Sequence, residues 1–256
     1  MNVDYPTMIR TFSQVIWPLW RMGGLILTAP FFSSVLIPSR IKVLFLLTLG
    51  WVCASFVPPQ LSFLYFNGIY VVYMLQELFL GILMGFALQL VFQIFVLAGQ
   101  IISMQAGLGF AVMVDPSSKA SVPLVSQLYL MMTTLIFLAL NGHLTLLDAV
   151  INSFKIMPIG HSSMDNTMVW QVIMFSSWMF KEAVLISIPA ILSLLIVSLS
   201  FGIMTRVAPQ LNIFSLGFPI TLIMAMGIIR VGLPNAGIEM VSSIEQGMHF
   251  IIGMLR

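Results

Sequence analysis

Charged residues and cysteine are both scarce in this chain. Asp, Glu, Lys and Arg make up 7% of its 256 residues, whereas a soluble domain carries roughly 25%. The hydrophobic fraction is 60% and the mean hydropathy is +1.08, which together indicate an integral membrane protein. A net charge of +2 without a basic stripe gives no indication of a nucleic-acid partner. The single cysteine, Cys53, excludes a disulfide within the chain.

The motifs of common enzymes are also absent. The sequence has no His-Glu-x-x-His zinc motif, no Gly-x-Ser-x-Gly nucleophile elbow and no phosphate-binding loop. Its three histidines lie far apart in the sequence, and no two of them stand at the spacing of a metal-ligand pair. Gly107-Leu-Gly109 begins like a dinucleotide fingerprint, but Val112 stands where the third glycine belongs. We therefore expect neither an enzyme nor a cofactor or metal site.

Hydropathy divides the chain into long apolar segments, which predict an all-α polytopic membrane protein. They cover approximately residues 11–36, 43–57, 70–97, 123–147, 168–203 and 211–229. Segments of this kind approach or exceed the roughly 20 residues that cross a bilayer core. The tail 231–256 is only amphipathic. We expect five to seven helices in a single membrane-embedded domain over residues 1–256.

The stretch between Met204 and Thr221 interrupts two apolar runs with polar groups and helix breakers. Such groups are costly at membrane depth unless protein or a water-filled cavity surrounds them. We therefore predict that this stretch packs against another element or subunit. Its candidate packing residues are Arg206, Pro209, Gln210, Asn212, Gly217 and Pro219.

A second unusual stretch runs from Gly99 to Pro116 and is both glycine-rich and apolar. Its glycines permit close packing or non-helical backbone, and the closing Asp115-Pro116 favours a turn. Leu, Phe, Val and Met between them do not fit a solvated loop. The residues alone leave two interpretations open, a tight interhelical turn that uses small residues and a loop that plugs a pathway.

Four charges lie inside apolar runs, where a charge is a functional candidate by default. They are Arg21, Glu77, Lys181 and Glu182. Ion pairing between helices or subunits is favoured over a proton relay, because a relay needs several titratable groups along a common face. A secondary transporter for a small solute, with Glu77 as its coupling site, is the alternative function at this stage.

The interrupting stretch resembles the signature of a known family. Arg206-Val-Ala-Pro209-Gln210-Leu-Asn212-Ile-Phe-Ser-Leu-Gly217-Phe-Pro219 is similar to that of the FliR family of flagellar export-gate proteins, whose counterpart is the T subunit of virulence type III secretion systems. Further matches occur in the same order over nearly the full length. They are Arg21 with Pro30 and Pro38-Ser-Arg40, Gly107-Leu-Gly109 with Asp115-Pro116, and Asn141-Gly142-His143 with Ser153-Phe154 and Pro158.

The resemblance implies a structural and gating subunit of a flagellar protein export channel in the bacterial inner membrane, at the base of the flagellum. Family members pack helical hairpins with several copies of FliP-like and FliQ-like subunits into a cone that encloses the pore for unfolded protein substrates. FlhB-like and FlhA-like proteins adjoin that cone, and membrane lipid surrounds it. On this basis residues 1–167 form a FliP-like part and residues 168–256 a FliQ-like C-terminal hairpin region.

The resemblance also assigns a role to the apolar glycine-rich loop. In the family this loop is the pore plug, which favours the plug over the turn for residues 107–116. The corresponding residues are Gly107, Leu108, Gly109, Phe110, Met113, Asp115 and Pro116.

Overall fold

A computed structural model describes residues 5–33, 37–55, 68–108, 123–160, 166–207 and 218–255. These ranges hold seven α-helices and no strand, which confirms the all-α expectation. The helices are α1 (Tyr5–Thr28), α2 (Ser39–Ala54), α3 (Ile69–Gln105), α4 (Leu124–Ala139), α5 (Gly142–Ile156), α6 (Asn166–Val207) and α7 (Phe218–Met254).

Three of these helices, α3, α6 and α7, are long and apolar enough to cross a membrane. The bent pair α4 and α5 forms a fourth candidate if it is taken as one span. The most apolar window of α3 is 72% buried within the chain, whereas those of α6 and α7 are 17% and 11% buried. Most of the apolar surface of α6 and α7 is therefore left for lipid or another protein to cover.

Hydropathy misplaced several helix boundaries. The third segment was expected to end near Leu97, but α3 continues to Gln105. The sixth segment and the amphipathic tail form one helix, α7, which passes through Arg230 and Pro234. Hydropathy registers the polarity of side chains, whereas a helix continues wherever its backbone hydrogen bonds are satisfied.

The fourth apolar segment forms two helices instead of one. α4 and α5 meet at an angle of 65°, and Asn141 between them has a positive φ of 55°. Asparagine is among the few non-glycine residues that tolerate this left-handed conformation. Asn141-Gly142-His143 therefore marks the bend between two helices.

The chain divides into two compact units. Unit 1 contains Met1–Leu90, Leu140–Ser176 and Glu245–Arg256, and unit 2 contains Val91–Ala139 and Ser177–Ile244. The long helices α3, α6 and α7 each contribute one part to each unit. The expected division into a FliP-like part before residue 168 and a FliQ-like part after it concerns likeness to other proteins and stays a prediction.

In unit 1, α1 and α3 run side by side in the same direction and touch through glycines. A Cβ on Gly24 would collide with the Leu78 carbonyl oxygen, and one on Gly81 with the Arg21 carbonyl oxygen. One turn further along both helices, the Thr28 hydroxyl lies against Gly85. Small residues at helix interfaces let two backbones approach closely, so these glycines set the distance between α1 and α3.

In unit 2, α3 and α4 pack closely in the same manner. A Cβ on Gly99 would lie 2.6 Å from the Ser126 Cα, and the Ser126 hydroxyl donates a hydrogen bond to the Val96 carbonyl at 3.0 Å. The rings of Phe92 and Phe137 meet edge to face with centroids 5.5 Å apart. Gly99 is thus a packing glycine within α3, although the sequence predicted that the third apolar segment ends before it.

Candidate functional site

Two of the four embedded charges form a buried ion pair in unit 1. Arg21 Nε donates to Glu77 Oε2 at 2.7 Å, and Arg21 Nη2 donates to Glu77 Oε1 at 3.0 Å. Each side chain is 1% exposed. This two-point geometry is the strong form of the arginine–carboxylate interaction, and it ties α1 to α3 beside the glycine contact.

Helix α5 supplies further partners for the same guanidinium. Arg21 Nη1 donates to the Ser153 hydroxyl at 2.6 Å, and Nη2 donates to the Met157 carbonyl at 3.1 Å. The guanidinium carbon lies 3.9 Å from the centroid of the Phe154 ring, within the range of a cation–π contact. We call Arg21, Glu77, Ser153 and Phe154 the arginine cluster.

The arginine cluster has the chemistry of a structural tie. Four hydrogen bonds engage the guanidinium, which carries five N–H donors. A buried charge is tolerated when it is paired and hydrogen-bonded. The cluster therefore joins α1, α3 and α5 at one point, and its charged groups are already satisfied by one another.

Sequence reasoning singled out Arg21 and Glu77 but missed their connection to α5. Ser153 and Phe154 entered only as matches to a family pattern, without a role. The partners of Arg21 lie 56 residues away at Glu77 and 132 residues away at Ser153. No local periodicity links positions so far apart, so only the resemblance carried a signal for them.

The other two embedded charges, Lys181 and Glu182, lie on α6 in unit 2. Lys181 is exposed and Glu182 is half-buried. They follow one another on a helix, so their side chains point about 100° apart.

The predicted pore plug is described only at its start, where α3 ends. Gly107 has a positive φ of 80°, its N–H donates to the Met104 carbonyl at 3.1 Å, and the Leu108 N–H donates to the Ser103 carbonyl at 3.0 Å. This pair of bonds is the Schellman motif, a common way to end a helix with glycine. Gly109, Phe110, Met113, Asp115 and Pro116 lie outside the described residues.

The side chain of Leu108 is packed within unit 2. Ala106, Leu194 and Ala225 form a buried apolar cluster there, and Leu108 and Ile228 pack against it. The residue that follows the capping glycine is thus held by α6 and α7. The first two residues of the predicted plug, Gly107 and Leu108, are therefore held in place by the helix cap and by this apolar cluster.

The predicted packing residues are described only in part. Arg206 is exposed in the last turn of α6, where a cation complements the helix dipole. Pro219 is exposed in the first turn of α7, a position where proline's missing N–H costs little. Pro209, Gln210, Asn212 and Gly217 lie outside the described residues. Across the described ranges, no three His, Cys, Asp or Glu side chains are grouped to hold a metal ion.

Comparison with known proteins shows that this chain is similar to bacterial export proteins. Residues 12–247 match the model of the bacterial export proteins, family 1. The flagellar biosynthetic protein FliR of Escherichia coli (strain K12) is 33% identical over 239 residues, which cover 91% of this chain and 89% of that protein.

Two further relatives are similar to this chain over most of its length. FliR of Buchnera aphidicola subsp. Baizongia pistaciae is 32% identical over 232 residues, 90% of each chain. The surface presentation of antigens protein SpaR of Shigella sonnei is 29% identical over 212 residues, 82% of this chain and 81% of that protein. With the signature at Arg206–Pro219 and a match over nearly all its length, the chain belongs to the FliR family of bacterial export proteins.

Proposed function

We propose that this chain is a structural and gating subunit of a type III protein export channel, of the flagellar type. The observation that carries the proposal is the family match over residues 12–247. Relatives in this family are named for flagellar biosynthesis and for the surface presentation of antigens, and neither name describes a catalysed reaction. Nothing in these relatives supports the alternative of a solute transporter.

The proposal places the chain in the bacterial inner membrane, at the base of the flagellum. FliP-like and FliQ-like subunits in several copies would surround it, with FlhB-like and FlhA-like proteins beside them. The poorly buried apolar surfaces of α6 and α7 support such neighbours. Arg230, Asn235 and Glu239 are exposed on α7, and polar groups of this kind are costly against lipid. Protein subunits that pair with these groups are the better cover for this helix.

The gating part of the proposal concerns residues 107–116. The Schellman cap at Gly107 and the packing of Leu108 support a plug that is anchored at its first residues. Deleting residues 110–114 should make the assembled complex conduct ions at rest, because the apolar side chains that close the pore are gone. Alanine at Ser117 and Ser118 is the matched control, since it changes the same interhelical segment outside the plug.

Purification of the complex tests whether this chain is a subunit of a larger assembly. The tagged chain, expressed with its genomic neighbours and extracted in mild detergent, should elute in one large complex with two other small hydrophobic proteins. Mass determination would then give the composition. A lone monomer or homodimer under these conditions would contradict the proposal, as would a deletion of residues 110–114 that abolishes activity without any ion leak.

A further inference from the structure

An apolar cavity of about 170 Å³ lies in unit 1 between the end of α1 and helix α2. Its walls are apolar apart from one lysine, and they consist of Ile26, Phe31, Phe32, Ile37, Ile41, Lys42 and Phe45. The rings of Phe32 and Phe45 are stacked with centroids 5.4 Å apart. The cavity is partly open, since the lining residues Ile41 and Phe45 are exposed, and apolar walls favour contact with an apolar ligand over contact with water.

Lys42 adds a cation to this apolar wall. Its Nζ donates to the Ser33 carbonyl at 3.0 Å, and the residue is half-buried. An ammonium has three donors, so this bond holds the group in place while other donors remain for an anion. A long lysine side chain can cover apolar surface with its stem and present its charge at the end.

The outer surface of α2 is also apolar. Val43, Leu44, Leu47 and Trp51 are each about half or more exposed, at 53%, 64%, 48% and 67%. Helix α2 has 16 residues and is therefore about 24 Å long, shorter than a hydrocarbon core of roughly 30 Å. An apolar surface of this length with a cation near its first turn matches the chemistry of a lipid, whose chains are apolar and whose headgroup is polar.

We infer that this cavity binds an anionic phospholipid, with an acyl chain among Phe32, Ile41 and Phe45 and the headgroup phosphate against Lys42. The inference is independent of the export function. A phosphatidylglycerol headgroup is favoured over phosphatidylcholine, because the choline cation would meet the ammonium of Lys42. A neighbouring polypeptide on the same surface is the competing occupant.

Native mass spectrometry of the purified chain or complex tests the inference. The protein is mixed with phosphatidylglycerol or with phosphatidylcholine that carries the same acyl chains, and retained lipid is counted. Wild type should retain phosphatidylglycerol in preference. Lys42→Ala should lower that retention about fivefold, the amount expected for one cation near an anionic lipid surface, while Lys42→Arg should keep it.

Arg40→Ala is the matched control, because it removes the same charge two residues away on the opposite side of α2. It should leave the preference for phosphatidylglycerol unchanged. Equal losses from Lys42→Ala and Arg40→Ala, or no preference in wild type, would overturn the inference. Filling the cavity with Ile41→Trp should reduce retention of both lipids.

Photo-crosslinking identifies the occupant without relying on a charge variant that fails to fold. A photoreactive amino acid at position 41, in cell membranes with Lys42 intact, should yield a lipid adduct. An adduct to another polypeptide would show that a protein covers the cavity, and the inference would then be wrong.

Discussion

Replacing Glu77 with alanine should destabilise the fold by about 3–5 kcal/mol, because it leaves a buried guanidinium without its counter-charge. Arg21 is buried and would lose its hydrogen bonds to Glu77 at 2.7 and 3.0 Å. The hydrogen bonds to Ser153 and to the Met157 carbonyl would remain. A domain's whole stability is only about 5–15 kcal/mol. Glu77→Gln also removes the counter-charge but keeps the shape and one oxygen acceptor, so it should cost less than Glu77→Ala by about the 1.5–3 kcal/mol of one hydrogen bond to a charged group.

The assay is the unfolding of the purified chain by dodecyl sulfate in mixed micelles. Circular dichroism measures the loss of helix as the dodecyl sulfate concentration rises. The double variant Arg21→Met with Glu77→Leu should recover part of the loss, since replacing a buried pair with apolar residues is often close to neutral. An unfolding midpoint of Glu77→Ala equal to wild type would refute the reasoning. Glu77→Gln also distinguishes the two candidate functions. It should abolish the activity of a solute transporter, whereas an export gate should tolerate it or be impaired only in assembly.

Three further predictions concern single residues. Gly81→Ala should destabilise the chain by about 1–3 kcal/mol in the same unfolding assay, because the added methyl group overpacks against the Arg21 backbone. Gly227 has open space around it, so the control Gly227→Ala should leave the stability unchanged. Leu108→Ala should raise the resting ion conductance of the reconstituted complex, because it removes the packing that anchors the predicted plug. An unchanged conductance would show that the packing of Leu108 at the end of α3 has no part in gating. Arg206→Ala should lower the yield of purified complex more than the stability of the isolated chain; normal yield with blocked export would instead place Arg206 in the conduction path.

The fold class was predictable because it depends on composition and segment length. Long apolar runs can satisfy their backbone in a membrane only as helices or closed barrels, and these runs have the length of helices. Helix ends were harder to predict. The end of α3 depends on the cap at Gly107 and on the packing of Leu108, whereas the glycine-rich stretch that begins at Gly99 indicated an earlier end.

The arginine cluster was predictable only in part. An arginine and a glutamate in apolar runs are expensive enough to require partners, which made Arg21 and Glu77 candidates. Their pairing depends on the glycine contact at Gly24 and Gly81, which brings α1 and α3 within reach. That contact is a property of the packed helices, and neither propensity nor periodicity along one chain encodes it.

The order of synthesis sets a delay on the neutralisation of Arg21. Its carboxylate partner follows 56 residues later and its serine partner 132 residues later. At about 5–20 residues per second, Glu77 is made roughly 3–11 s after Arg21. During that interval the emerging α1 carries an unpaired guanidinium that resists burial in hydrocarbon. The packing of α1 through Arg21 can therefore be completed only after both α3 and α5 have been synthesised.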